Sequence, residues 1–290
     1  MAAPIVDVAE YYDHHPISEA EVRRGLAGRP DIDGRAAPED LFPWDQDHYG
    51  GLAAVEALAR RAGIGAGSRV LDVCAGLGGP SRFLAHRLGA RVIALDLHAG
   101  RSAASARLTR LVGLERSVRA VRADAQALPF AAGAFTAVVS QEGLLHVPDK
   151  AAALAECRRV LASGGRIAFS DWIATARLDD GDRARLRDWM AAVSIQTIAG
   201  YRSRLARAGF AGIESEDLSP MWGGILRERL AAFRGARPAL LARLGPARYD
   251  AYEQLSLFFL RLVEGGRLGG ARFSARPDPG ATAAGWLHRG

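Results

Sequence analysis

Between residues 69 and 172 the chain alternates short apolar runs with helical patterns, and this order constrains the fold more than any other feature. The runs are "RVLDV" (69–73), "RVIALDL" (91–97), "VRAVRAD" (118–124), "FTAVVSQ" (135–141) and "RIAFSDW" (166–172). The segments "PSRFLAHRLG" (80–89), "RSAASARLTRLVG" (101–113) and "KAAALAECRRVLA" (150–162) carry helical periodicity. Strands apolar on both faces must be covered on both faces, and parallel neighbours need a crossover between them. The pattern therefore predicts an α/β protein with a doubly wound, mostly parallel sheet.

In such a sheet, ligands sit beyond the carboxyl ends of the strands, at the point where strand order reverses. Function is therefore sought in what each strand ends in. The first runs into Asp72-Val73-Cys74-Ala75-Gly76-Leu77-Gly78-Gly79. Glycines there let the backbone approach a ligand closely and aim amides at an anionic group. Cys74 reads as a replacement at the least demanding glycine position. The second strand ends in Asp96, twenty residues beyond Gly76. A carboxylate there can accept hydrogen bonds from both hydroxyls of a ribose, or it can cap a helix. The third ends in Asp124 and Ala125, an acceptor for an exocyclic amine or a cap for a turn. The fourth ends in Ser140-Gln141-Glu142 and continues as "GLLHVPDK".

These features suit a nicotinamide dinucleotide and S-adenosylmethionine equally well. Two details divide them. Ser81 stands where the third glycine of G-x-G-x-x-G would be, and Asp72 lies inside the strand just ahead of the loop. A buried carboxylate would repel a pyrophosphate, whereas it favours the cationic amino-acid end of S-adenosylmethionine. No G-x-x-x-x-G-K-[ST] is present, which argues against nucleotide hydrolysis. The cofactor reading is S-adenosylmethionine.

"VLDVCAGLGG", "VIALDL", "ADAQALPF", "FTAVVSQEGLLHVPD" and "ECRRVLASGGRIAFSDW" resemble, in order and spacing, the motif series of class I S-adenosylmethionine-dependent methyltransferases. "SQEGLLHVPD", "DQDHYGG" and "FFLRLVEGGRLGGARF" are similar to segments of the sarcosine/dimethylglycine and phosphoethanolamine methyltransferases. The resemblance implies a seven-stranded Rossmann-like sheet with an antiparallel last strand. It implies that Asp96, with Leu97 beside it, holds the ribose and that Asp124 and Ala125 hold the adenine edge. Gly76, Gly78 and Gln141 would take the methionyl part, with His48 and Tyr49 closing over the cofactor. His146 would pair with an N-terminal tyrosine, Tyr12 being preferred over Tyr11, as the catalytic pair. The expected reaction is methyl transfer to a small molecule, an amine nitrogen ahead of an oxygen or carbon acceptor. A nicotinamide oxidoreductase is the alternative of another class. Phe42, Trp44, Trp172, Trp189, Tyr201 and Trp222 are candidates for the acceptor pocket, where aromatics would suit a cation or a flat ring.

Residues 1–50 read as an irregular, aromatic arm or lid, and 51–290 as one domain. Helical insertions are expected at about 176–200 and 225–265, a strand at 210–219 and a last strand at 269–276. The net charge of +6 suggests nucleic acid, but Lys150 is the only lysine and the arginines are interspersed with acids. A small-molecule partner is expected rather than nucleic acid or membrane, with a homodimer as one assembly. Cys74 and Cys157 lack neighbours at zinc spacing, so no metal site or disulfide is expected and the chain reads as cytoplasmic.

Overall fold

The computed structural model describes residues 8–13, 15, 17–27, 36–46 and 48–280. Residues 1–7 and 28–35 of the expected arm, and the last ten of the expected domain, lie outside these. The five expected strands form as β1 (Arg69–Val73), β2 (Arg91–Asp96), β3 (Val118–Arg122), β4 (Phe135–Gln141) and β5 (Leu161–Ala174). They are joined by β6 (Phe210–Asp217) and β7 (Leu268–Pro277) in one sheet of order β3-β2-β1-β4-β5-β7-β6. Pairing from β3 through β5 is parallel, and β7 runs antiparallel to both β5 and β6. Strand order reverses between β1 and β4, which places the expected ligand site at their carboxyl ends.

Helices cover both faces because the strands are apolar on both. On one face α4 (Gly51–Ala62) and α5 (Gly79–Leu88) bury Val55, Leu58, Phe83 and Leu84 against β1, β2 and β4. On the other, α7 (Lys150–Val160) and α9 (Ile198–Arg207) bury Leu154, Val160, Tyr201 and Leu205 with Phe169 and Phe273. α6 (Ala99–Leu111) flanks β2 and β3.

The arm is more regular than its composition suggests. It holds α1 (Val8–Asp13), α2 (Glu19–Leu26) and α3 (Pro38–Asp45). Ser18 caps α2 by accepting from Glu21 N at 3.4 Å. Pro38 begins α3, where its missing N–H costs nothing, and Asp40 accepts from Ala37 N at 2.8 Å. Pro38 and Asp40 thus begin a helix within a stretch whose composition suggests loop. Val22, Leu26 and Leu41 pack against Leu77 and Leu108, and burial of each contributes about 1.5–3 kcal/mol. Asp45 reaches Arg82 of α5 at 2.8 Å, both side chains fully buried. Burial pushes the Asp45 carboxyl up, opposed by the Arg82 guanidinium.

The expected insertion at 176–200 is only partly helical. α8 (Asp180–Met190) stops at Ala191, which is left-handed with φ 51°. Gln196 then bridges to Ile173 before Thr197 caps α9. The β-branched run between Val193 and Thr197 favours extended chain. The 225–265 segment resolves into α10 (Ser219–Gly235), α11 (Arg237–Leu244) and α12 (Pro246–Glu264), broken at Gly245. The "LGG" that opens β7 explains how this group docks, since a Cβ at Gly270 would lie 2.3 Å from the Trp222 ring.

Candidate active site

The loop after β1 turns on left-handed residues at Cys74 (φ 59°), Gly76 (φ 56°) and Gly78 (φ 77°). Position 74 is therefore a demanding glycine position, not the least demanding one. A side chain there costs about 1–2 kcal/mol of backbone strain. The Cys74 side chain fills the space beside Gly143, where a Cβ would sit 2.3 Å from the Cys74 Cβ. Burial pushes the thiol above its ordinary value, which disfavours the thiolate.

Asp96 ties this loop to the next helix. Its Oδ2 accepts from Gly76 N at 2.8 Å, and its Oδ1 accepts from His98 N at 2.9 Å. The cap of α6 is His98, whose Nδ1 accepts from Arg101 N at 3.0 Å. Asp72 is buried in β1 and accepts from Ser81 Oγ at 2.6 Å, which gives the serine at the missing third glycine a partner. Burial raises the Asp72 carboxyl to about 7, opposed by the Ser81 bond and assisted by Asp96. Asp124 accepts from Gln126 N at 2.8 Å, the turn-capping geometry. At the end of β4, Gln141 Nε2 is buried with no hydrogen-bond partner among the described residues.

From the arm, Tyr12 Oη lies 2.9 Å from His146 Nε2, and His146 Nδ1 lies 3.0 Å from the Ala191 carbonyl. That carbonyl can only accept, so Nδ1 carries the proton and Nε2 accepts from the tyrosine hydroxyl. Burial lowers His146 to about 4, so the imidazole is neutral at ordinary pH. Arg101 lies 4.4 Å from the Tyr12 ring centroid. Tyr11 stands edge-on to Tyr12 at 5.0 Å. The arm also closes through Tyr49, whose N–H donates to Glu142 Oε1 at 2.7 Å. Glu142 is itself left-handed, at φ 55°. His48 Nε2 lies 3.0 Å from Gln46 Oε1.

These groups share one cavity of about 2090 Å³, lined by Tyr12, His48, Tyr49, Asp72, Gly76, Asp96, Leu97, Asp124, Ala125, Gln141 and His146. Gly78 does not line it. It faces α6 instead, where a Cβ would come 2.3 Å from Ser105 Oγ. Of the six aromatic acceptor candidates only Trp172 and Trp189 reach the cavity. Tyr201 and Trp222 are fully buried, Phe42 belongs to the core beside α5, and Trp44 covers Gly25. Sequence reasoning missed the Ala191 carbonyl, Arg101 and Glu142. Glu142 alone carried a signal, as the residue after Gln141 at a strand end.

Residues 71–169 match the family described as a methyltransferase domain. Sarcosine/dimethylglycine N-methyltransferase of Halorhodospira halochloris is 33% identical over 178 residues, 60% of this chain and 63% of that relative. The chain spans 29% and 63% of the lengths of the curated relatives it matches first, less than two thirds of each. Among solved structures, phosphoethanolamine N-methyltransferase 2 of Haemonchus contortus, in complex with phosphomonomethylethanolamine and S-adenosylhomocysteine, superposes with a TM-score of 0.78. That likeness has 20% identity and covers 94% of this chain and 61% of that one. The cyclase SpnF superposes with a TM-score of 0.72 at 22% identity, covering 97% of this chain and 100% of that one. These likenesses show the methyltransferase Rossmann-like fold. A cyclase on the same fold means that the site, not the sheet, must argue the chemistry.

Proposed function

We propose that the chain transfers a methyl group from S-adenosylmethionine to a small-molecule acceptor, with an amine nitrogen receiving it. The observation that carries this reading is the placement of the Tyr12–His146 pair in the same cavity as the β1–β4 strand-end groups. The amine-methylating relative supports the choice of nitrogen.

The residues present fit the cofactor. The buried, unpartnered Gln141 Nε2 is a donor suited to a carboxylate, and Asp72 suits an ammonium. Asp96 would take the ribose hydroxyls, Asp124 and Ala125 the adenine edge, with Leu97 against the base. Gly76 would give the backbone room. Tyr49 and His48 would close the cavity from the arm, held by Glu142 and Gln46. The cofactor supplies a methyl group already activated on a sulfonium, so the protein's work is alignment and exclusion of water, worth about 7–11 kcal/mol.

The Tyr12 hydroxyl donates a hydrogen bond to His146, which fixes the phenol oxygen at the cavity wall. There it can accept the N–H of an uncharged amine and turn the nitrogen lone pair toward the methyl. His146, lowered to about 4, is too weak a base to retain the amine proton, which passes to water. It acts through Tyr12 as a positioning residue. Cys74 and Cys157 are both free thiols, which supports the cytoplasm as the compartment.

The test is S-adenosylhomocysteine release by Tyr12→Phe and His146→Ala with an accepted amine. Both variants should bind S-adenosylmethionine normally and lose about ten- to a hundredfold in kcat. The wild-type profile should show no ionisation of His146 near pH 6.5. Unchanged turnover in Tyr12→Phe would remove the pair from the reaction.

A further inference from the structure

The helices that roof the cavity carry a second message about the acceptor. α10, α11 and α12 each turn apolar side chains at helical spacing into the cavity: Leu230 with Phe233, Leu240 with Leu244, and Leu255 with Phe259. Most of these are only partly buried, so the roof presents apolar surface to the void as well as to the core. The same helices also set Arg229, Arg243, Arg248 and Asp250 on the cavity lining, so the apolar surface is bordered by charge. The volume agrees, because a site for one drug-sized ligand is about 300–1,000 Å³ and this cavity is about 2090 Å³.

The charges point the same way. A cationic acceptor is held by open aromatic faces or by carboxylates. Tyr49 offers little face, with the Arg229 guanidinium 4.4 Å from its centroid and Trp222 stacked on it at 4.8 Å. Arg229 also donates to the His48 carbonyl at 3.0 Å, which fixes it at the cavity wall. Arg101 lies over Tyr12. Glu142, the carboxylate closest in sequence to the strand end, is engaged by the Tyr49 amide, and Asp13, Asp188 and Asp250 line the cavity from α1, α8 and α12 rather than from the strand ends. The guanidiniums over Tyr12 and Tyr49 therefore disfavour a positive charge beside those two rings.

We infer that the acceptor is a molecule with a large, apolar body that lies along the α10–α12 roof and enters with its accepting nitrogen uncharged. This deepens the methyl-transfer reading and rests on it.

The experiment measures binding by calorimetry to the full chain loaded with S-adenosylhomocysteine. The probes are a ladder of N-methylalkylamines of rising chain length, with sarcosine and dimethylglycine for comparison. Affinity should rise about fourfold per methylene until the roof is spanned, and it should rise from pH 7 to pH 9 with the uncharged fraction. Sarcosine and dimethylglycine should bind at least a hundredfold more weakly than the longest amines. Leu255→Gln should flatten the ladder while leaving S-adenosylhomocysteine affinity unchanged. Affinity independent of chain length, or sarcosine binding best, would overturn the inference and leave the methyl-transfer reading standing. Failure to bind S-adenosylhomocysteine would overturn both.

Discussion

The buried carboxylate of Asp72 gives the cofactor reading a proton signature. In the folded chain this group is raised to about 7 by burial, well above the ordinary aspartate value of 3.8. Below that pH it is protonated and neutral, and above it the carboxylate is available to an ammonium. A cationic ligand end stabilises the ionised form, so cofactor affinity is full above pH 7 and lost as pH falls below it. With a pKa of about 7 in the unliganded protein and a much lower one when bound, affinity should fall roughly fifteenfold between pH 7 and about pH 5.5. His146, lowered to about 4, does not titrate across this window. Calorimetry with S-adenosylmethionine in buffers of different ionisation enthalpy should show a proton released on binding at pH 6. Asp72→Asn keeps an acceptor for the Ser81 hydroxyl and should bind with no such release and little pH slope. A flat wild-type profile, or an equal slope in Asp72→Asn, would refute the placement of the ammonium at Asp72.

Two further outcomes test how the arm and loop are held. Asp45→Ala leaves the Arg82 guanidinium buried and unpaired, and should cost about 3–5 kcal/mol in denaturant unfolding; a loss under 1 kcal/mol would mean that the pair does not anchor the arm. Gly143→Ala should cost about 1–3 kcal/mol through overpacking against Cys74. Cys74→Gly should restore most of that loss, and purely additive effects would contradict the contact.

The strands were legible because they depend on local periodicity, and one topological rule brought the ends of β1 to β4 to a common cavity. The Tyr12–His146 pairing followed from the resemblance alone, since no local pattern links residues so far apart. The rest depended on contacts that sequence spacing does not encode. Gly78 faces Ser105 rather than the ligand because α6 crosses behind the loop. The left-handed Cys74 was misread because a cysteine there carries no mark of its backbone. The arm looked irregular because Pro38 and Asp40 open a helix instead of breaking one. The aromatic set at the cavity thinned to Trp172 and Trp189 because Phe42, Tyr201 and Trp222 pack on Phe83, Phe169 and Tyr49, and Trp44 covers Gly25.

The most direct test is a paired titration of the purified chain with S-adenosylmethionine and with NADH, repeated on Asp96→Ala after circular dichroism confirms the fold. The account predicts binding of S-adenosylmethionine alone, lost in Asp96→Ala. Binding of NADH alone, or an Asp96→Ala protein that binds S-adenosylmethionine as well as the wild type, would contradict it.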